Sequence, residues 1–284
     1  MGKFDQVIIV SDIDGTFLGK DSRIVPENME AVRYFQKEGG SFTIATGRED
    51  FLIPLVLPEL PACLNVPMIA CNGAYMYDFP SGRIVYEEFL PEPEVSAIVE
   101  AARAFAPDIA MRITMDEHYY TESLHPIFRE EFADCPERIR ILPYADTPHG
   151  RWHKIAWEAP NDTLTALREV IDRRMTGGCY TTMPCSTILE LQSVRGTKGT
   201  MLTPLKKVIG KENAVLWAVG DYENDIPMLS MADRCATPEN GIDAVQRLPG
   251  VAHLCHHDKG AIADLIRLIE SELGGKGGRA HGQI

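Results

Sequence analysis

The segment Val7-Ile8-Ile9-Val10-Ser11-Asp12-Ile13-Asp14-Gly15-Thr16 constrains this chain more than any other. An apolar run ends abruptly in two carboxylates one residue apart, on a turn. Consecutive apolar residues bounded by a turn read as a central strand of a parallel sheet. In open α/β sheets, ligands sit in the crevice at the carboxyl ends of the strands. Asp12 and Asp14 alternate with Ile13, so both acids can face the same side of the chain as it leaves the strand. Two anions so close repel unless a cation or a proton joins them, which implies a bound metal or a shared, shifted proton. Asp-X-Asp-Gly is also ordinary turn composition, so the pair alone does not separate chemistry from a turn. A calcium loop is excluded: it wants Gly at its sixth position, where Phe17 stands, and Glu at its twelfth, where Arg23 stands.

The first third repeats this theme. Residues 26–38 carry Met29, Val32 and Phe35 at helical spacing, with Pro26 in the first turn and Gly39-Gly40 as the stop. Residues 41–45 form a second strand leading into Thr46-Gly47-Arg48, and 67–71 a third leading into Asn72-Gly73. Three short apolar strands, each ending in a polar or glycine-bearing turn, predict parallel βαβ units with one functional edge. The middle differs. A helix over 91–105, strand-like pieces at 109–113, 119–121, 139–142 and 154–158, a helix over 161–175 and strands at 179–183 and 187–192 predict an α+β module with an antiparallel sheet. The last third returns to alternation, with a helix over 197–209, a strand at 214–219 followed at once by Gly220-Asp221, and a closing helix over 261–273. The glycine-rich stretch 274–278 is flexible by composition. The expected fold is α/β: a Rossmann-like, doubly wound parallel core from residues 1–88 and 193–284, with an inserted α+β domain at 89–192.

A formal net charge of −13 argues against a general nucleic-acid or anionic-membrane binder, both of which need a basic surface. An anionic substrate in a local positive pocket is still allowed. No run approaches the length of a membrane span. The apolar run near the start is too short for a signal peptide, and Gln6 stands where N-myristoylation wants Ser or Thr. Seven cysteines without a Cys-X-X-Cys pair read as reduced thiols in a cytoplasmic protein. His256-His257-Asp258 lacks spaced partners and reads as packing rather than a metal site. A homo-oligomer stays open.

Each expected core strand delivers one piece to a common edge: Asp12 and Asp14, then Thr46, then Asp221 with Asn224 and Asp225, while Lys198 stands at the start of a helix. Three acids, a lysine, a hydroxyl and a glycine-bearing turn are the ingredients for handling a phosphoryl group. The acids call for a hard, oxygen-loving divalent cation, which points to Mg²⁺. Thr46, Lys198 and nearby backbone N–H groups suit the phosphoryl oxygens, a task of positioning and charge stabilisation.

At these residues the chain resembles the haloacid dehalogenase-like superfamily, in its Cof-type phosphatase branch. Asp12-Ile-Asp14-Gly-Thr matches the first motif, and Ala45-Thr46-Gly47-Arg48 the second. Thr197-Lys198-Gly199 matches the third, and Gly220-Asp221-Tyr-Glu-Asn224-Asp225 the fourth. Asn72-Gly73-Ala74 and the stretch from His257 to Ile262 are further branch features. The resemblance implies that Asp12 is a nucleophile forming an aspartyl-phosphate, with Asp14 protonating the leaving oxygen and then deprotonating water. It implies Mg²⁺ at Asp12, the Asp14 carbonyl and Asp221, supported by Asp225, and a phosphoryl grip from Thr46, Gly47, Lys198 and Asn224. Arg48 and Asn72 join the phosphate-binding candidates. The inserted domain matches the position of the branch's larger cap, whose candidate substrate contacts are Arg112, Tyr119, Tyr120, His125 and the loop Met183-Pro184-Cys185.

The function expected on this basis is Mg²⁺-dependent hydrolysis of a small phosphorylated metabolite, with sugar phosphates first. A phosphosugar mutase of the same superfamily is the alternative, with Arg138 and Arg140 on one face of an expected strand as its suggestive cluster. A non-hydrolytic aspartyl phosphoacceptor switch is the other, disfavoured because such receiver domains lack a large insertion.

Overall fold

The computed structural model describes residues 2–123, 133 and 135–277. β1 (Val7–Ser11) lies between β2 (Ser41–Ile44) and β12 (Val215–Val219), and β13 (Arg234–Pro238) and β14 (Ala252–Leu254) extend the sheet in the order β14-β13-β12-β1-β2. Every pairing in it is parallel. Ile8, Ile9 and Val10 are wholly buried because helices cover both faces. Val7 and Ile9 belong to the same cluster as Val32 and Phe35 of α1 (Pro26–Lys37) and Leu265 and Ile266 of α8 (Ala261–Gly277). Ile8 and Val10 cluster instead with Leu205 of α5 (Leu202–Val208) and with Met228 and Leu229 of α6 (Ile226–Met231). An uninterrupted apolar strand is therefore what this position demands, and each such side chain contributes about 2 kcal/mol by burial.

The third expected strand is not a full member of this sheet. β3 (Met68–Ala70) touches it through one bridge, Ala45 to Ile69, and pairs antiparallel with β4 (Tyr75–Asp78), which pairs in turn with β5 (Arg83–Glu87). The helix expected from residue 197 begins at Leu202, after a turn held by Thr197 and Thr200, so Lys198 sits on the turn. α8 continues to Gly277, through most of the glycine stretch expected to be flexible.

A second sheet fills the middle of the chain, in the order β10 (Cys179–Cys185), β11 (Ile188–Ser193), β9 (Lys154–Glu158), β6 (Ala110–Met115), β7 (His118–Thr121) and β8 (Ile139–Ile141). It is antiparallel except for β7 and β8, which run parallel. One face carries Met111, Ile113, Ile155, Trp157, Leu189 and Leu191 against α3 (Glu92–Phe105) and α4 (Asn161–Asp172). Alternation puts Arg112, Thr114, Lys154, Glu158, Glu190 and Gln192 on the opposite face. These six are also buried, and Lys154 and Glu190 reach residues of the first sheet's loops. The chain leaves the first body at Glu88 and returns at Gly196. The crossings lie side by side: Glu88 donates its N–H to Ala74 O at 2.7 Å and pairs with Arg195 at 3.3 Å, and Gly196 packs against Gly73 and Ala74.

Candidate active site

Asp12 N–H donates to Val219 O at 2.8 Å, extending the β1–β12 ladder one step past the strand. That step brings Asp12 beside the turn after β12. Asp12, Asp221 and Asp225 each offer a carboxylate oxygen within 4.8 Å of the others. Lys198 Nζ, almost wholly buried, donates to Asp12 Oδ1 at 2.6 Å and to Asp225 Oδ1 at 2.7 Å. The other oxygen of Asp225 accepts the N–H groups of Asp221 and Tyr222, so this acid is spent on holding the lysine and the turn. Asp221 accepts from the Thr16 hydroxyl at 2.7 Å, and Gly15 runs so close to it that a Cβ there would lie 2.4 Å from Asp221 Oδ2. Gly15 also has φ +79°, which glycine adopts without strain.

The electrostatics are those of a site short of positive charge. Burial, then Asp225, pushes the Asp12 carboxyl well above its ordinary range, against the pull of Lys198. Burial also takes Asp221 up to about 6. A hard divalent cation fits this donor set: carboxylate oxygens converge, and two of the acids lack enough neutralising charge of their own.

Asp14 stands apart from that cluster. Its half-exposed carboxylate is held by Arg48, with contacts of 2.9–3.1 Å. Thr46 Oγ1 accepts from Arg48 N–H at 3.2 Å. Asn72 has a left-handed backbone, donates Nδ2 to Glu190 at 3.0 Å, and keeps Oδ1 buried without a partner among the described residues. A cleft of about 570 Å³ gathers Asp12, Asp14, Thr46, Gly47, Arg48, Asn72, Asp221 and Asn224. Lys198 and Asp225 lie beneath it, both buried.

The second sheet roofs this cleft. Of the residues expected there, Arg112 and Pro184 line it. Tyr119 is buried behind it, donating to Glu49 Oε2 at 2.8 Å, while Tyr120 and Met183 pack toward the apolar face and Cys185 is exposed. His125 lies outside the described residues. Arg138 and Arg140 do not share a strand face: Arg138 belongs to the turn Pro136–Arg138, pairs with Glu117 and covers Phe51, while Arg140 binds backbone carbonyls and His118. Neither lines the cleft.

Sequence patterns missed Glu49, Lys154 and Glu190. Lys154 Nζ reaches Glu190 Oε1 at 2.9 Å, Glu49 Oε1 at 3.2 Å and Gly47 O at 3.2 Å. Burial opposes the Glu49 charge, but Lys154, Arg112 and Tyr119 outweigh it and hold the carboxyl below its ordinary value. The signal available was alternation: charged residues on a strand whose other face is apolar must face something polar. After β14 of the first sheet, His257 Nδ1 binds Leu18 O at 2.6 Å and His256 Nδ1 accepts Asp258 N–H. These contacts tie the segment to its neighbours, and the fold also brings ligand atoms of His256, His257 and Asp258 within 4.8 Å of one another, a grouping the sequence reading did not expect.

Residues 9–266 match the model of the haloacid dehalogenase-like hydrolase family. The 5-amino-6-(5-phospho-D-ribitylamino)uracil phosphatase of Bacillus subtilis is 24% identical over 84% of this chain and 89% of its own. The HMP-PP phosphatase of Yersinia pseudotuberculosis is 25% identical over 87% and 93%. Among solved structures, a haloacid dehalogenase-like hydrolase from Bacteroides thetaiotaomicron superposes with a TM-score of 0.76 at 23% identity, covering 92% of this chain and 98% of that one.

Proposed function

From the premise that this chain belongs to the haloacid dehalogenase-like hydrolases, we propose that it is a Mg²⁺-dependent phosphatase of small metabolites carrying phosphate on a sugar or polyol. The observation that carries the reading is Lys198, buried between Asp12 and Asp225 at the ends of parallel strands, with Thr46 and the Gly47 peptide across the same cleft. The polyol is suggested by the Bacillus relative, whose name gives a substrate phosphorylated on a ribityl chain. In this reading residues 1–88 and 193–284 are the catalytic core and 89–192 the cap, with the return falling at Gly196 because Ser193 still pairs with Cys179 in the second sheet.

Asp12 attacks phosphorus with a carboxylate oxygen while the ester oxygen departs. The leaving oxygen takes a proton from Asp14, which Arg48 aims into the cleft. Water, deprotonated by Asp14, then releases phosphate from the aspartyl-phosphate, so one hard displacement becomes two easier ones. Thr46 O–H, Gly47 N–H and Asn224 donate to the phosphoryl oxygens, and Lys198 balances charge on Asp12 throughout. Asp12, the Asp14 carbonyl and Asp221 would hold Mg²⁺, which supplies charge neutralisation for the phosphoryl group when bound, and Asp225 supports them. The roof limits water and selects the leaving group.

The test incubates purified protein and Mg²⁺ with a panel of metabolite monophosphates, following free phosphate and isomer formation together. Net phosphate without a bisphosphate activator is expected. Isomer accumulating without phosphate, and only with a bisphosphate present, would establish the mutase instead.

A further inference from the structure

We propose that Lys154 is a positioning residue for the phosphoryl group: through the Gly47–Arg48 peptide, it makes seating of the roof a condition for a competent phosphate grip. This rests on the phosphatase reading above. Lys154 lies on β9, the strand flanked by β6 and β11, so its location is set by the whole second sheet. Its ammonium donates to Gly47 O at 3.2 Å, across the boundary between the two bodies. The N–H of that same peptide belongs to Arg48 and donates to Thr46 Oγ1 at 3.2 Å. Arg48 in turn carries the guanidinium that binds Asp14.

Three linked effects follow. A cation on a peptide oxygen polarises the peptide and strengthens its N–H as a donor. With one lone pair of Thr46 Oγ1 committed to Arg48 N–H, its hydroxyl proton is turned outward, toward the place of a phosphoryl oxygen. The loop is also fixed mechanically, because Glu49, two residues on from Gly47, is gripped by Lys154 and Tyr119, and Asn72 by Glu190. Although Lys154 borders the cleft, its ammonium is already engaged, hydrogen-bonded to Gly47 O and lying 3.2 Å from Glu49 Oε1 and 2.9 Å from Glu190 Oε1. Its action is therefore on the transferred group, which every substrate shares, rather than on the part that distinguishes substrates.

This separates two roles by experiment. Lys154→Gln, its fold checked by circular dichroism and thermal melting, is compared with wild type using p-nitrophenyl phosphate and a hexose 6-phosphate as substrates, and inorganic phosphate as a competitive inhibitor. The proposal expects the inhibition constant for phosphate to rise about tenfold. It expects kcat/KM to fall by a similar factor for both substrates, and Lys154→Arg to recover much of the loss. An unchanged inhibition constant, with the loss confined to one substrate, would make Lys154 a leaving-group contact and overturn the proposal. Should Lys154→Gln not fold, Lys154→Gln/Glu190→Gln removes one acid with the one cation and is put through the same measurements. Wild type that releases no phosphate from any ester counts against the phosphatase reading. An active variant with unaltered phosphate inhibition counts against Lys154 alone.

Discussion

Lys198 and Asp225 form a buried pair, 2.7 Å apart, in which the carboxylate has no exposed surface. The same carboxylate accepts two N–H groups from the turn after β12, so lysine, acid and turn are one unit. Removing one partner of such a pair strands the other charge away from water. Asp225→Asn should therefore destabilise the fold by about 3 kcal/mol, measured by urea unfolding. Part of the loss is offset by Asp12, which still holds Lys198.

Asp12→Asn should behave in the opposite way. Burial already disfavours this carboxylate, so its neutral isostere leaves the strand packing and melting temperature nearly unchanged. Turnover should fall on the order of 10⁵-fold, as expected when a nucleophile is removed. Phosphate release comparable to wild type would rule out the covalent route.

Chelation should abolish activity and lower the melting temperature by about 2–4 °C, roughly 1 kcal/mol, because the cation serves the acids of the site more than the core. Re-addition of Mg²⁺ should restore turnover. Asp221, with its carboxyl raised to about 6 by burial, must lose its proton before it can ligate. The Mg²⁺ concentration for half-maximal activity should then rise as pH falls through 6.

Asp50 offers a pH test away from those acids. It is buried, and burial lifts its carboxyl from 3.8 to about 6 despite the 2.7 Å hydrogen bond from Tyr75. An acid whose value is raised by folding binds its proton more tightly in the folded state. Its contribution to stability is thus fully present below about 4 and is lost as pH rises to about 6. The loss is about 3 kcal/mol. Asp50→Asn escapes it, so the difference in unfolding free energy should move toward the variant by that amount between pH 4 and 7. Parallel curves across that range would contradict the assignment.

The motif acids were legible because a buried strand ending in a carboxylate is locally anomalous, and β1 and β12 both end so. The parallel sheet was legible for the same reason: Ile8, Ile9 and Val10 have no polar face to spare. β4 and β5 were not, since Tyr77, Val85 and Tyr86 are only partly covered and the pair has no alternating pattern to declare it. β14 is three residues long, too short for periodicity. Lys154 was invisible as a site residue because its partners, Glu49 and Glu190, stand far away in sequence and become neighbours only when the second sheet lies over the first.

The seam at Glu88 and Gly196 bears on how quickly this chain can fold. Val7 pairs with Val215 across about two hundred intervening positions, and closing so long a loop before any contact rewards it is slow. The second body is different, since its hairpins join near neighbours in sequence. Once it has formed, its two ends lie side by side, and the path between β1 and β12 is shorter by about one hundred residues. The insertion thus works as a kinetic staple, and destabilising it should retard β1–β12 pairing although it contributes no strand to that sheet.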